Sequence, residues 1–407
     1  MADAKSALLQ IREELAFLDS SGMRRELKTV TGPQRSETTL AGHADLPVGR
    51  QVTILCSNNY LGLADHPRLS EMVVEMTRKY GCSSGASRLI SGTMSLHRQL
   101  EEELAVFKGT EGALVYNCGY MANLGVLSTV VDEGDVIFSD ALNHASIVDG
   151  CRLSRAEVKI YRHSDAGHLE ELLSRHDASF RRRLIVTDSV FSMDGDLAPL
   201  PDIARLAKKH DALLLVDDAH ATGVLGLGGR GSASHFQLPP DSIDLLMGTL
   251  GKAMGSCGAF VAGRREYLDY LINKSRSFIY TTALPPAVLG ASLAAVQLLR
   301  EDPGLAAALQ EKAGYFRQAL QKMGFEVSDD PTPIIPVIVG DATQTMRLSE
   351  KFMEAGIFIQ GIRPPTVEPG SSRLRITITR DLSWTRMDEI LAVFSRLRGC
   401  FPLAAIS

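Results

Sequence analysis

Six short apolar runs follow one another between residues 135 and 263, most of them separated by segments with helical spacing. They are DVIFSD (135–140), VKIYRH (158–163), LIVTDSV (184–190), ALLLVDD (212–218), LLMGT (245–249) and GAFVAG (258–263), and ALVYN (113–117) stands ahead of them. A run without polar alternation has to be covered on both faces. Intervening helices such as LEELLSRH and LPDIARLAKKH supply that cover. The pattern predicts an α/β chain with a mainly parallel central sheet. After TTALPPAVLGASLAAVQLLREDPG it changes to helices mixed with the strands IIPVIVG and SRLRITIT, which reads as a smaller α+β unit. We expect an N-terminal helix and arm over 1–55, a large domain over 56–289 and a small C-terminal domain over 290–407.

In parallel sheets ligands bind beyond the carboxyl ends of the strands. Those ends here carry Asn117, Ser139, Asp140, Asp188, Ser189, Asp217, Asp218 and Thr249, which suggests one shared site. Lys252, in TLGKAMG, follows one strand and precedes another. A desolvated lysine loses proton affinity and becomes a nucleophile able to form a Schiff base, whereas a lysine at a loop tip simply reaches for water. Asp217 ends a buried run, and a buried carboxylate needs a cation. A protonated pyridine nitrogen would serve, as would an arginine, and His220 stands three residues on. Thr249 and the helix start at Gly119 and Tyr120 offer donors for an anion. His144, after another strand end, is placed either to stack on a ring or to play a structural part. Gly226, Gly228 and Gly231 fit G-x-G-x-x-G, but they do not join a strand directly to a helix, and SASHFQLPPD after them does not read as helical. Dinucleotide binding is therefore not expected.

Among 407 residues, 45% are hydrophobic and the formal charge is −5, so nothing draws the whole chain to nucleic acid or an anionic membrane. The basic run RRRL (181–184) reads as a solvated face. No apolar stretch approaches the ~18–20 residues needed to span a bilayer. Six cysteines without a CxxC pair argue against zinc and against a disulfide framework. They read as small buried residues of a reducing compartment. The amphipathic, acid-containing N-terminus is unlike a targeting peptide, and a cytoplasmic location is expected. No metal site is expected.

SNNYLGLADHP, SSGASRLISGTMSLHRQLEEELA, NHASIVDG, VFSMDGDLAPLP, VDDAHATGVLG, TLGKAMG and YTTALPP together resemble the α-oxoamine synthase family, over roughly residues 10 to 395. The resemblance implies a pyridoxal 5'-phosphate (PLP) enzyme of the fold type I, aspartate-aminotransferase class, working as a homodimer with shared active sites. It implies that Lys252 binds PLP, Asp217 faces the ring nitrogen, His144 stacks on the ring, and His220 and Ser192 serve the ring oxygen or its surroundings. Gly119, Tyr120 and Thr249 would contact the cofactor, and Thr281 and Thr282 would reach the phosphate in the neighbouring subunit. Asn58 and Arg375 would receive an amino-acid carboxylate. Arg24, or Arg25 in its place, and Thr366 would line the substrate site. The implied reaction is decarboxylative condensation of an amino acid with an acyl thioester of coenzyme A or a carrier protein. GIRPPTVEPGSSRLRITIT resembles the branch that uses L-alanine and a pimeloyl donor. Members using acetyl, succinyl or long-chain donors, and a catalytically silent homologue, are the alternatives.

Overall fold

The strand Leu213–Asp217 lies at the centre of a seven-stranded sheet. Across the sheet the order is Gly112–Tyr116, Ala259–Gly263, Leu245–Thr249, Leu213–Asp217, Arg183–Asp188, Val136–Asp140 and Glu157–Tyr161. Ala259–Gly263 runs antiparallel to both its neighbours, and all other adjacent pairs are parallel. This computed structural model describes residues 6–21, 23–41, 49–175 and 180–402. Successive side chains of a strand point to opposite faces. Leu214 and Val216 accordingly enter the core on one side of the sheet and Leu215 the core on the other. Glu157–Tyr161 is the edge strand and is largely exposed, which accounts for the charged residues in that run.

The helices Gly119–Val130 and Ala145–Ser154 pack together on one face, each starting just past a strand's polar end. The helix Pro286–Glu301 straddles residue 290, and its buried side chains join the core of the large sheet. A second core joins Leu55 to residues from Ala313 onward and is filled by Phe316, Phe352 and Phe394 around the antiparallel sheet of Ile334–Gly340, Ser372–Thr377 and Gln360–Ile362. The arm returns to this unit, because Arg50–Ile54 pairs with Ile357–Phe358 as well as with Glu37–Leu40.

Two expectations, on the cysteines and on the segment after the glycine-rich loop, need correction. The cysteines are not uniformly buried: only Cys151 is, while Cys82 and Cys257 are exposed and no disulfide forms among the described residues. The basic run is the solvated face expected of it, with Arg181 and Arg182 exposed, and Arg181 pairs with Asp135 at 2.8 Å while Arg182 donates to the Val130 carbonyl. One turn of helix, Ser232–His235, follows the glycine-rich loop.

That loop wraps a buried ion pair. Lys108 Nζ lies 2.8 Å from Asp218 Oδ2, with side chains 1% and 0% exposed, and also donates to Thr222 Oγ1 and the Arg230 carbonyl. Ser189 and Ser232 donate to the other carboxylate oxygen. Gly231 sits at φ +101°, and a Cβ there would fall 1.9 Å from Asp218 Oδ2. The glycines therefore allow backbone to close over the pair rather than over a phosphate. Truncating one member leaves the other charged in a dry core, which costs ~3–5 kcal/mol. Lys108→Met should lower the unfolding free energy by about that much in chemical denaturation, whereas a surface exchange such as Lys274→Met should change it by under about 0.5 kcal/mol.

Candidate active site

A cavity of about 190 Å³ opens where the polar strand ends converge. Of the residues singled out above, Gly119, Tyr120, His144, Ser192, Asp217, His220, Thr249 and Lys252 all line it. Asp188, named above only as a strand end, lines it too, as do Asn123 and Ser146, which had been given no role.

Asp217 is the buried end of its strand. Asn123 Nδ2 donates to its Oδ2 at 2.7 Å and the Ala219 amide to its Oδ1 at 2.9 Å. Among the described residues no lysine or arginine lies within ion-pair distance of it. Asp188 stands beside it in register on the neighbouring strand. Burial raises the pKa of both, and the charge of Asp217 adds to the rise at Asp188, which goes well above the ordinary carboxylate range. The pair resists carrying two negative charges until a cation joins it.

Lys252 Nζ sits 2.7 Å from His220 Nε2. Burial depresses the amine to about 8, although Asp217 and Asp188 pull the other way. His220 is held well below its ordinary value by burial and then by the positive charges of Lys252 and Arg375, so the ring is neutral. On its far side Nδ1 meets the Tyr60 hydroxyl at 2.6 Å.

His144 caps the helix Ala145–Ser154, with Nδ1 accepting from the Ser146 amide at 3.2 Å. Ser146 Oγ lies 2.7 Å from the same nitrogen and itself accepts from Asn123. Nδ1 is thus an acceptor, and burial lowers the ring's pKa. The proton of the neutral ring belongs on Nε2, leaving a donor for the cavity. The helix Gly119–Val130 starts with no side-chain cap, so its first amides are open to an anion.

The residues expected on the substrate side meet one another through the small domain. Arg375, on Ser372–Thr377, donates to the Ser192 carbonyl, to Thr377 Oγ1 at 3.0 Å and to Asn58 Oδ1 at 3.2 Å. Arg24 turns to Asp19, and it is Arg25 that reaches Thr366 Oγ1 at 3.1 Å. Thr281 and Thr282 do not line the cavity of their own chain; Asn117 donates to both. Asn123 was legible as the residue one helical turn beyond Gly119, and Asp188 as a strand end. Tyr60 gave no signal, being 160 positions from His220.

A buried carboxylate with no cation paired to it among the described residues, an amine of lowered proton affinity, a free ring donor and uncapped helix amides fit PLP, with its cationic ring nitrogen, aldehyde and phosphate. Fold and site together define a fold type I PLP-dependent transferase. The aminotransferase class I and II family model matches residues 50–394. The 8-amino-7-oxononanoate synthase of Geobacter sulfurreducens is 52% identical over 95% of this chain and 97% of its own. That of Symbiobacterium thermophilum is 46% identical over 95% and 96%. Among solved structures, Sphingomonas wittichii serine palmitoyltransferase superposes with a TM-score of 0.89 at 31% identity, covering 98% of this chain and 100% of that one. An 8-amino-7-oxononanoate synthase from Francisella tularensis gives 0.74 at 31% identity over 86% and 98%. The chain belongs to the aminotransferase class I and II family and, within it, to the α-oxoamine synthases.

The depressed amine gives a direct test. In cofactor-free protein, acetic anhydride labelling of Lys252, followed by peptide mass spectrometry, should rise with a midpoint near pH 8. Exposed lysines should titrate near their ordinary value of about 10.4. A midpoint above 10 at Lys252 would contradict the site's electrostatics.

Proposed function

We propose that this enzyme joins L-alanine to a pimeloyl thioester, with loss of CO₂ and the thiol carrier, to give 8-amino-7-oxononanoate in biotin biosynthesis. The observation that carries the reading is that relatives of that name are 46–53% identical over 90–95% of the chain. An intact set of Lys252, Asp217, His144 and His220 supports activity over a silent homologue.

PLP would be held covalently by Lys252, with Asp217 at its ring nitrogen, His144 on its ring face, and His220 and Ser192 about its ring oxygen. Gly119, Tyr120 and Thr249 would supply further contacts. When bound, the cofactor supplies an electron sink for the charge that develops at the amino-acid Cα. Asn58 and Arg375 receive the carboxylate, and the three bonds that anchor Arg375 keep its guanidinium aimed. Lys252, whose proton affinity burial lowers to about 8, takes the Cα proton and later returns one. His144 Nε2–H donates to the thioester carbonyl as its oxygen becomes negative. Thr366, together with Arg24 or Arg25, lines the acyl side. The carrier is coenzyme A or a carrier protein.

The sites are shared across a homodimer, in which Thr281 and Thr282 serve the opposite subunit's phosphate. In support, the helix Ala7–Ser20 buries none of its residues, and Ile90 and Tyr280 are 81% and 72% exposed in the single chain. Mixing Lys252→Ala with Thr282→Ala protein under subunit exchange should restore part of the activity, because one of the two heterodimer sites carries neither lesion. No recovery, with exchange verified by mass spectrometry, would refute sharing.

Donor choice is tested by kcat/KM for L-alanine with pimeloyl, acetyl, succinyl and palmitoyl thioesters, and for glycine and serine with the best donor. Each methylene buried contributes about 0.8 kcal/mol, so acetyl, which lacks four to five of them, should fall behind pimeloyl by roughly two to three orders of magnitude. Palmitoyl should fail for want of room. A lead for acetyl with glycine, or for palmitoyl with serine, would place the enzyme elsewhere in the family.

A further inference from the structure

Tyr60 is fully buried, and its hydroxyl stands 2.6 Å from His220 Nδ1 and 3.3 Å from Asn58 Oδ1. Beyond it a continuous chain of hydrogen bonds runs from one end of the site to the other. Lys252 Nζ meets His220 Nε2 at 2.7 Å, and Arg375 donates to the same Asn58 oxygen at 3.2 Å.

The two ends of this chain have fixed roles. An ammonium only donates, and an amide oxygen only accepts. His220 and Tyr60 between them are each able to do either, but not independently, since a neutral imidazole has a single N–H. When Lys252 is an ammonium, Nε2 must accept and the ring proton must sit on Nδ1. The Tyr60 oxygen then accepts from Nδ1–H and donates its own proton to Asn58. The sense of every bond follows from the two ends.

We propose that Tyr60 is a positioning residue that acts through His220: its hydroxyl holds the imidazole proton on Nδ1, so that Nε2 presents a lone pair to the Lys252 amine, and it ties that arrangement to the Asn58–Arg375 pair. The inference rests on the reading of Lys252 as the reactive amine. Asp217, Asp188, Arg375 and His144 also act on the electrostatics of Lys252 and His220, but through space. His220 is the hydrogen-bond partner of the amine among the described residues. What Tyr60 does to His220 therefore reaches Lys252 directly. Bonds in such a chain polarise one another, so an Nδ1–H that has an acceptor makes Nε2 a better acceptor in turn. Tyr60→Phe removes one oxygen, keeps the ring that packs edge-on against His220, and leaves Nδ1 without a partner in a dry place. Nε2 becomes a poorer acceptor, and the ammonium loses support.

The experiment is the labelling titration of Lys252 in cofactor-free full-length protein. In Tyr60→Phe the midpoint should fall by about half a pH unit, a threefold change in the ionisation constant. Unchanged circular dichroism and a single cooperative thermal transition would establish that the variant is folded. In a His220→Gln background, where the acceptor needs no tautomer, Tyr60→Phe should move the midpoint by less than about 0.2, a failure of additivity that marks action through His220. If Tyr60→Phe does not accumulate as folded protein, replacing Tyr60 with 3-fluorotyrosine, a nearly isosteric and weaker acceptor, should lower the midpoint about twofold in the constant. A folded Tyr60 variant with the wild-type midpoint, or equal shifts in both backgrounds, would overturn the inference while leaving Lys252 in place. Labelling that finds another lysine as the low-pKa amine would overturn the underlying reading instead.

Discussion

The rest of the molecule is arranged about a carboxylate that it buries without giving it a cation. Asp217 ends the central strand, beside Asp188 on the next one, and among the described residues its oxygens receive only an amide nitrogen of Asn123 and a backbone N–H. Two neighbouring acids in a dry place strongly favour any positive group that enters. The same surroundings depress the Lys252 amine by burial and keep His220 neutral. One hydrogen-bonded path, from Asp217 through Asn123 and Ser146 to His144, also sets which nitrogen of His144 faces the cavity. The charge held at Asp217 and the tautomer of His144 are thus tied into a single network.

Asp218, next in the chain, illustrates the opposite solution. It points away from the cavity and is fully compensated by Lys108, Ser189, Ser232 and Thr222. Two adjacent acids on one strand end face opposite sides, so one can be neutralised structurally while the other is left for a ligand. The glycine-rich loop belongs to this structural pair. Its resemblance to a nucleotide-binding loop comes from a shared need for backbone to approach closely, with Asp218 standing where a phosphate would be.

The small domain enters the site through the segment 191–197. Arg375 donates to the Ser192 carbonyl and Arg373 pairs with Asp194, so two arginines of one strand hold the loop from one side. His163 holds it from the other, with its two ring nitrogens 2.9 Å from Asp140 and from Asp196. Burial opposes charge on this ring, but the two carboxylates outweigh it and raise the imidazole to about 10. His163 thus favours its charged form and links the loop before His144 to the loop bearing Ser192.

Local information was enough for much of this. Apolar runs of strand length between helical segments specified a covered parallel sheet, because no other arrangement hides them. Their polar ends specified which side would carry the chemistry, and Lys252, Asp217, His144 and His220 were visible there because each adjoins a strand end. What a linear pattern does not contain is the partner of a side chain across the fold. That Tyr60 meets His220, that Arg25 rather than Arg24 reaches Thr366, and that Asp218 is neutralised by Lys108 are contacts 160, 341 and 110 positions apart. The cysteines were misjudged for the same reason, since composition says nothing of which face of an element a residue occupies. Residue type and periodicity determine the local elements and the reactive groups, while the three-dimensional packing decides which of those groups lose their water and whom they meet. Desolvation and hydrogen bonding depend on neighbours in space, so only the tertiary structure sets the charge states on which the chemistry runs.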